Sequence, residues 1–145
     1  MKQIPLKNVL IDTDVLLDLF FNRLPFANDA ENILSLCEQK IIIGYITPVM
    51  TSNLYYILNR SASHTKVIDT LKGLLNIVNI LPMDKDVVSK ALHSQFRDFE
   101  AALQNYAGEM SGIIEAIITR NVKDYKNSHI SVLTPRQFLK IIQTQ

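Results

Sequence analysis

Cysteine, glycine, proline and charge imbalance are all scarce in this chain of 145 residues. Cys37 is the single cysteine, which excludes an intrachain disulfide and a cysteine-based zinc cluster. The 4 glycines and 5 prolines are scattered, so long linkers and low-complexity tails are not expected. Hydrophobic residues make up 48% of the chain, yet no window stays apolar for the ~18 residues that a membrane span needs. The opening Met1-Lys2-Gln3-Ile4-Pro5 lacks the apolar stretch of a signal peptide. Cytoplasm is therefore the expected compartment, with no membrane partner. A formal net charge of +1 sets up no global field toward nucleic acid, so any such site must be a local patch. There is no internal repeat, no glycine-rich phosphate loop and no Ser-His-Asp order with a nucleophile elbow. The length suits one domain over residues 1–145, enough to bury one sizeable core.

What is present begins at the first apolar run, Asn8-Val9-Leu10-Ile11-Asp12-Thr13-Asp14-Val15-Leu16-Leu17-Asp18. A β-branched segment that stops at an acid and turns into a helical pattern is a strand-to-helix junction. Ligands of open α/β sheets bind at such junctions. Two further acidic stations follow: Asp98-Phe99-Glu100, and Glu115 to Asp124 around Ile117-Ile118-Thr119-Arg120-Asn121. Carboxylates gathered from several strand ends make a hard oxygen site for Mg²⁺ or Mn²⁺.

Periodicity predicts strands at residues 9–11, 41–46, 77–81, 116–119 and 130–133. It predicts helices at 15–21, 27–38, 48–60, 63–75, 84–93 and from Asp98 or Phe99 to Gly108 or Gly112, with a last one opened by Thr134-Pro135. The Asn22-Arg23-Leu24-Pro25 stretch should break the first helix. Strands alternating with helices imply an α/β fold with a parallel sheet covered on both faces. Right-handed crossovers place every strand-to-helix junction on one edge, where Asp12, the acids near Asp98, and Asn121 with Asp124 should converge. The pattern alone does not set the strand order.

Each acid also has an ordinary structural explanation. Asp12 suits a helix N-cap, Asp14 complements the helix dipole, and Asp18, about one turn on, is expected to be structural or solvated. Asp98 and Glu100 fit capping and dipole compensation, and Asp124 fits a turn. Glu115 precedes a strand, whereas the others lie at carboxyl-terminal strand edges or helix starts. His64, His93 and His129 have no partner at ligand spacing and are expected on the surface. Arg120, Lys123, Lys126, Arg136 and Lys140 concentrate positive charge near the last acidic station, as a solvated face or as phosphate contacts.

With these segments in place the chain resembles a PIN-domain protein, of a bacterial toxin-like ribonuclease subgroup, over nearly its whole length. The resemblance rests on residues 9–18, on Asp98-Phe99-Glu100-Ala101-Ala102-Leu103-Gln104, on Ile117-Ile118-Thr119-Arg120-Asn121-Val122-Lys123-Asp124-Tyr125, and on the closing Val132-Leu133-Thr134-Pro135-Arg136-Gln137-Phe138-Leu139. It implies a three-layer α/β/α sandwich around a mainly parallel five-stranded sheet. It implies a metal-dependent endoribonuclease using Mg²⁺ or Mn²⁺, single-stranded RNA as substrate, an antitoxin protein as partner, and a homodimer. Asp12, Asp98, Glu115 and Asp124 match the family's acids and are the expected catalytic and metal-holding groups, with Glu100 as a further ligand. Thr119 and Asn121 occupy the polar positions between the last acids, and with Arg120 and Lys123 they form the expected substrate contacts.

Two positions depart from the family's pattern. Its Asp-Phe-Glu-Asp motif ends here in Ala101, and Ser52-Asn53 stands where many relatives have a glutamate on the middle helix. The resemblance therefore implies an atypical, weakened acidic site, or a degenerate fold that binds RNA or protein without cutting. A haloacid-dehalogenase-type phosphatase is the other enzymatic reading, since Asp12-Thr13-Asp14 mimics its nucleophile and acid pair. That reading lacks a later Gly-Asp-Asp-type metal motif.

Overall fold

Each apolar run of the computed structural model forms a short strand, and the segments between carry helices on both sides of the sheet. The structure describes residues 6–143. The opening Met1-Lys2-Gln3-Ile4-Pro5, read above for a signal sequence, lies outside the described residues. The chain runs through β1 (Asn8–Ile11), α1 (Thr13–Phe20), α2 (Ala27–Glu38), β2 (Ile43–Ile46), α3 (Pro48–Leu58), α4 (His64–Leu75) and β3 (Val78–Ile80). It continues through α5 (Lys85–Leu92), α6 (Phe99–Ser111), β4 (Ala116–Ile118), a 3₁₀ turn at Val122–Tyr125, β5 (Ser131–Leu133) and α7 (Pro135–Gln143). No helix among the described residues is long and apolar enough to cross a membrane.

The five strands form one sheet in the order β3-β2-β1-β4-β5, and all of its pairings are parallel. The fold is a three-layer α/β/α sandwich. Central β1 shows why: Val9, Leu10 and Ile11 are fully buried, as a parallel strand covered on both faces must be. Leu10 sits beside Tyr45 of β2 and Ile117 of β4. From β1 the chain winds outward through β2 to β3, then returns to the other side of β1 as β4. The reversal makes the gap between the carboxyl ends of β1 and β4 the topological switch point, where such sheets bind ligands. Asp12 and Thr119 are the first residues past those two ends.

Side chains start the helices as the sequence suggests. Thr47, Ser63, Asp84 and Asp98 accept hydrogen bonds from the backbone N–H groups of Met50, Lys66, Val87 and Ala101. Such caps satisfy amides that have no partner within the helix. Gly112 closes α6 in a left-handed conformation, φ 72°, which glycine adopts without strain. At Gly44 a Cβ would lie 2.7 Å from the Cys37 sulfur, so glycine lets β2 approach α2. Burial pushes the Cys37 thiol up to about 12, which leaves it a packing group rather than a nucleophile.

Several element bounds differ from the expected ones. The second strand starts at Ile43 rather than 41, because Lys40 takes a positive φ of 60° and turns the chain. The third strand shrinks to Val78–Ile80 at the sheet edge. The 3₁₀ turn after β4 went unread, since so short an element has no periodicity to detect.

Candidate active site

At the switch point Asp12 ends β1 and caps α1. One of its oxygens accepts from the Thr13 N–H at 2.8 Å and the other from the Thr119 hydroxyl at 2.9 Å. Thr119 is fully buried, and its oxygen also accepts from the Asn121 N–H at 3.0 Å. Two elements far apart in sequence therefore set the orientation of one carboxylate. Asp14 follows one residue into the helix. Its Oδ2 accepts from the Arg120 N–H at 3.0 Å, while its buried Oδ1 has no hydrogen-bond partner among the described residues.

Asp12, Thr13 and Asp14 line a cavity of about 460 Å³ together with Asp98, Glu100, Ala101, Asn121, Asp124 and Tyr125. Glu100 is held by the Thr13 hydroxyl at 3.4 Å and the Gln104 amide at 3.5 Å, and Gln104 accepts in turn from Thr47 at 2.5 Å. Gln104 and Thr47 are both fully buried, so a polar chain from α3 through α6 supports Glu100. Ala101 presents only a methyl group to the same space.

Carboxylates gathered away from water raise one another's proton affinity. Burial first, and then the charge on Asp14, push Asp12 from 3.8 up to about 7. Hydrogen bonds from Thr119 and Thr13 oppose the rise. Burial likewise raises Asp14, against the pull of the Arg120 N–H and guanidinium. Burial also raises the Tyr125 hydroxyl, with further contributions from the charges of Asp12, Asp14 and Glu100.

The donor set suits a hard divalent cation. The acids of the cavity offer carboxylate oxygens, one of them buried without a partner among the described residues, and a cation would offset the burial and the Asp14 charge that raise Asp12. Among the described residues no three acidic, imidazole or thiol groups already stand at ligand spacing. The fit therefore lies in donor chemistry and the orphaned oxygen, not in a preformed cage.

Other expected site residues fall elsewhere. Glu115 stands at the amino end of β4, where it accepts from the Lys7 and Asn8 N–H groups at 3.2 and 2.9 Å and from the Asn8 amide at 3.2 Å. A residue before a parallel strand emerges on the edge opposite the switch point, so Glu115 does not join the other acids. Arg120 is likewise corrected. Its guanidinium grips Asp18 through contacts of 2.5 and 2.9 Å and lies 4.0 Å from the Phe26 ring centroid. Its guanidinium is thereby engaged by Asp18, although the side chain stays 27% exposed. Asp18 is 1% exposed, so it is structural and not solvated. Lys123 lies with Asp98, Asp124 and Lys126 on a neighbouring depression. His64 pairs with the Tyr55 hydroxyl, His93 with the Ser89 carbonyl and His129 with Glu109.

Arg120→Ala should destabilise the protein by about 2 kcal/mol, because it takes the main partner from the buried Asp18 carboxylate while the arginine itself is partly exposed. Denaturant unfolding checks this. A loss below about 0.5 kcal/mol would mean that Asp18 finds solvent or Arg23 instead, whose guanidinium already stands 3.7 Å away.

The far wall of the cavity escaped sequence reading. Arg23, Asn53, Tyr56, Ile57 and Arg60 line it. Asn53, Tyr56 and Ile57 lie on α3, Arg23 in the break after α1 and Arg60 just past α3, and nothing local showed that they share a cavity with the acids.

Comparison with known proteins agrees with this architecture. A family model described as PIN domain matches residues 8–123. Over 138 residues the chain is 27% identical to ribonuclease VapC1 of Aquifex aeolicus, covering 91% of this chain and 93% of that protein. A toxin-antitoxin complex from Klebsiella pneumoniae contains a similar fold, with a TM-score of 0.66, 22% identity and coverage of 88% and 97% of the two chains. So does VapBC-1 of nontypeable Haemophilus influenzae, at 0.65 and 15% identity, with coverage of 89% and 98%.

Proposed function

Because the chain belongs to the PIN-domain family, we propose that it is a divalent-metal-dependent endoribonuclease acting on single-stranded RNA. The observation that carries this reading is the meeting of Asp12, Asp14, Asp98, Glu100 and Asp124 in one cavity at the sheet's switch point. Similarity to a protein named as a ribonuclease and to toxin-antitoxin complexes supports the activity and an antitoxin partner.

Asp12 and Asp14 are the groups proposed to hold Mg²⁺ or Mn²⁺, with Asp98, Glu100 and Asp124 completing the oxygen set. Such an ion, when bound, lowers the pKa of water and offsets charge on a phosphodiester in its transition state. The chain's own residues prepare that setting. Thr13 and Thr119 fix the two Asp12 oxygens. Gln104 and Thr13 steady Glu100. Arg23 and Arg60 bring positive charge to the same cavity, where it offsets the repulsion between a polyanion and the five acids. Asn121 adds a neutral polar contact at the mouth.

A 5′-labelled single-stranded RNA should be cut internally with Mn²⁺ or Mg²⁺, and cutting should stop with EDTA. Phosphate release from small phosphomonoesters, with the RNA left intact, would replace this reading with the phosphatase one. One observation favours a second reading. Ala101 lines the cavity without an oxygen to offer, as a degenerate member that binds RNA or protein without cutting would have it. RNA binding without cleavage at any divalent ion concentration would select that reading.

A further inference from the structure

The mechanism above leaves one feature of the cavity's far wall unused. Tyr56 is 66% exposed, although it lines the cavity. A tyrosine serving the core would bury its ring. This ring is nonetheless braced. Tyr55 meets it edge-on, with centroids 5.2 Å apart and planes at 86°. The Tyr55 hydroxyl lies 2.8 Å from His64 Nδ1, and the Tyr55 and His64 rings pack at 5.6 Å. The support thus runs from α3 to the first residue of α4. Arg60 lies in the turn just past the end of α3 and lines the same cavity as Asn53, Tyr56 and Ile57. Among the described residues its guanidinium forms none of the ion pairs. Arg23, by contrast, is engaged with Asp18 and the Phe21 ring.

A braced, solvent-facing ring and a cation outside the ion pairs of the described residues, in one cavity with carboxylates, match the chemistry of one nucleotide: a flat base and its phosphate. We infer that Tyr56 and Arg60 form a nucleotide-docking wall, with a base stacked on Tyr56 and the adjoining phosphate on Arg60. This inference rests on the ribonuclease reading for its substrate class and adds the source of its strand preference. A base inside a duplex has both faces covered by neighbours, so only an unpaired or terminal base can lie on the Tyr56 ring. Arg60 fixes the position of the backbone without reading sequence.

The test is fluorescence anisotropy with a labelled, mixed-sequence RNA octamer in EDTA and low salt, where cleavage does not intervene. Tyr56→Ala should weaken binding of the single strand about 10- to 100-fold, the loss of one stacked base. Tyr56→Phe should bind like the wild type. The same octamer in a perfect duplex should bind weakly and ignore Tyr56→Ala. Arg60→Gln should lower the slope of log Kd against log salt by about 0.7, one phosphate contact on a single strand. Melting curves check that the variants fold, which the exposure of Tyr56 favours. Single-strand binding unchanged by Tyr56→Ala, or no binding by the wild type, overturns the wall. The wall and the nuclease can fail separately. RNA cleavage in Mn²⁺ with binding indifferent to Tyr56 removes only the wall, and Tyr56-dependent binding without cleavage removes only the nuclease.

Discussion

Asp12→Asn should abolish RNA cleavage, by about 100-fold or more, and should flatten the pH dependence of stability in the metal-free protein. Burial and the charge on Asp14 raise Asp12 from 3.8 to about 7. The folded state then holds this proton more tightly than the unfolded chain does. Its contribution to stability is full below pH 3.8 and is lost as pH rises through about 7. Linkage bounds that loss at about 4 kcal/mol. Asparagine keeps the shape and capping ability of aspartate but cannot ionise. In EDTA the wild type should therefore melt lower at pH 8 than at pH 5, with the variant the more stable protein at the higher pH. A shallower slope should persist in the variant, because burial raises Asp14 as well. Added Mn²⁺ reverses the order. At 100 times its Kd an ion that binds only the folded state contributes about 2.7 kcal/mol, and Asp12→Asn should lose most of that gain. Equal Mn²⁺ shifts in the two proteins would move the ion away from Asp12.

The second large effect is expected at Ala101. Its N–H is donated to Asp98 at 2.8 Å and its methyl group lines the cavity, so a longer acidic side chain here has room to join the others. Ala101→Asp should raise Mn²⁺ affinity about tenfold, through one added oxygen ligand, and raise RNA turnover with it. Without metal the same change should lower stability by about 1 kcal/mol, as a further negative charge enters a space already short of cations. Isothermal titration and cleavage rates of the two proteins, side by side, decide the matter. Unchanged affinity and turnover would mean that another acid, Glu100 or Asp124, already supplies what residue 101 lacks.

Local signals carried far in this chain. The β-branched run ending at Asp12 marked both a buried strand and the cavity edge, because a parallel strand buried on two faces must be continuously apolar. Caps such as Thr47, Ser63 and Asp98 marked helix starts because their chemistry acts over three residues. What escaped was set by distance. Asp18 and Arg120 are 102 residues apart, so no window could show that the arginine is already engaged. Tyr56 and Arg60 carry no local signal of their place, because the acids that share their cavity lie far from them in sequence. Glu115 is a different case. Its place before a strand was visible, and in a parallel sheet that alone assigns it to the opposite edge from Asp12.

The strand order has a consequence for how the cavity forms. Central β1 pairs on one side with β2 and on the other with β4, and the Asp12 N–H is bonded to the Ile118 carbonyl at 2.9 Å. A chain in which β4 has not yet docked leaves one edge of β1 open. Asp12 then lacks both that backbone bond and the Thr119 hydroxyl that orients it. The cavity therefore cannot assemble by halves; it forms when β4 reaches β1.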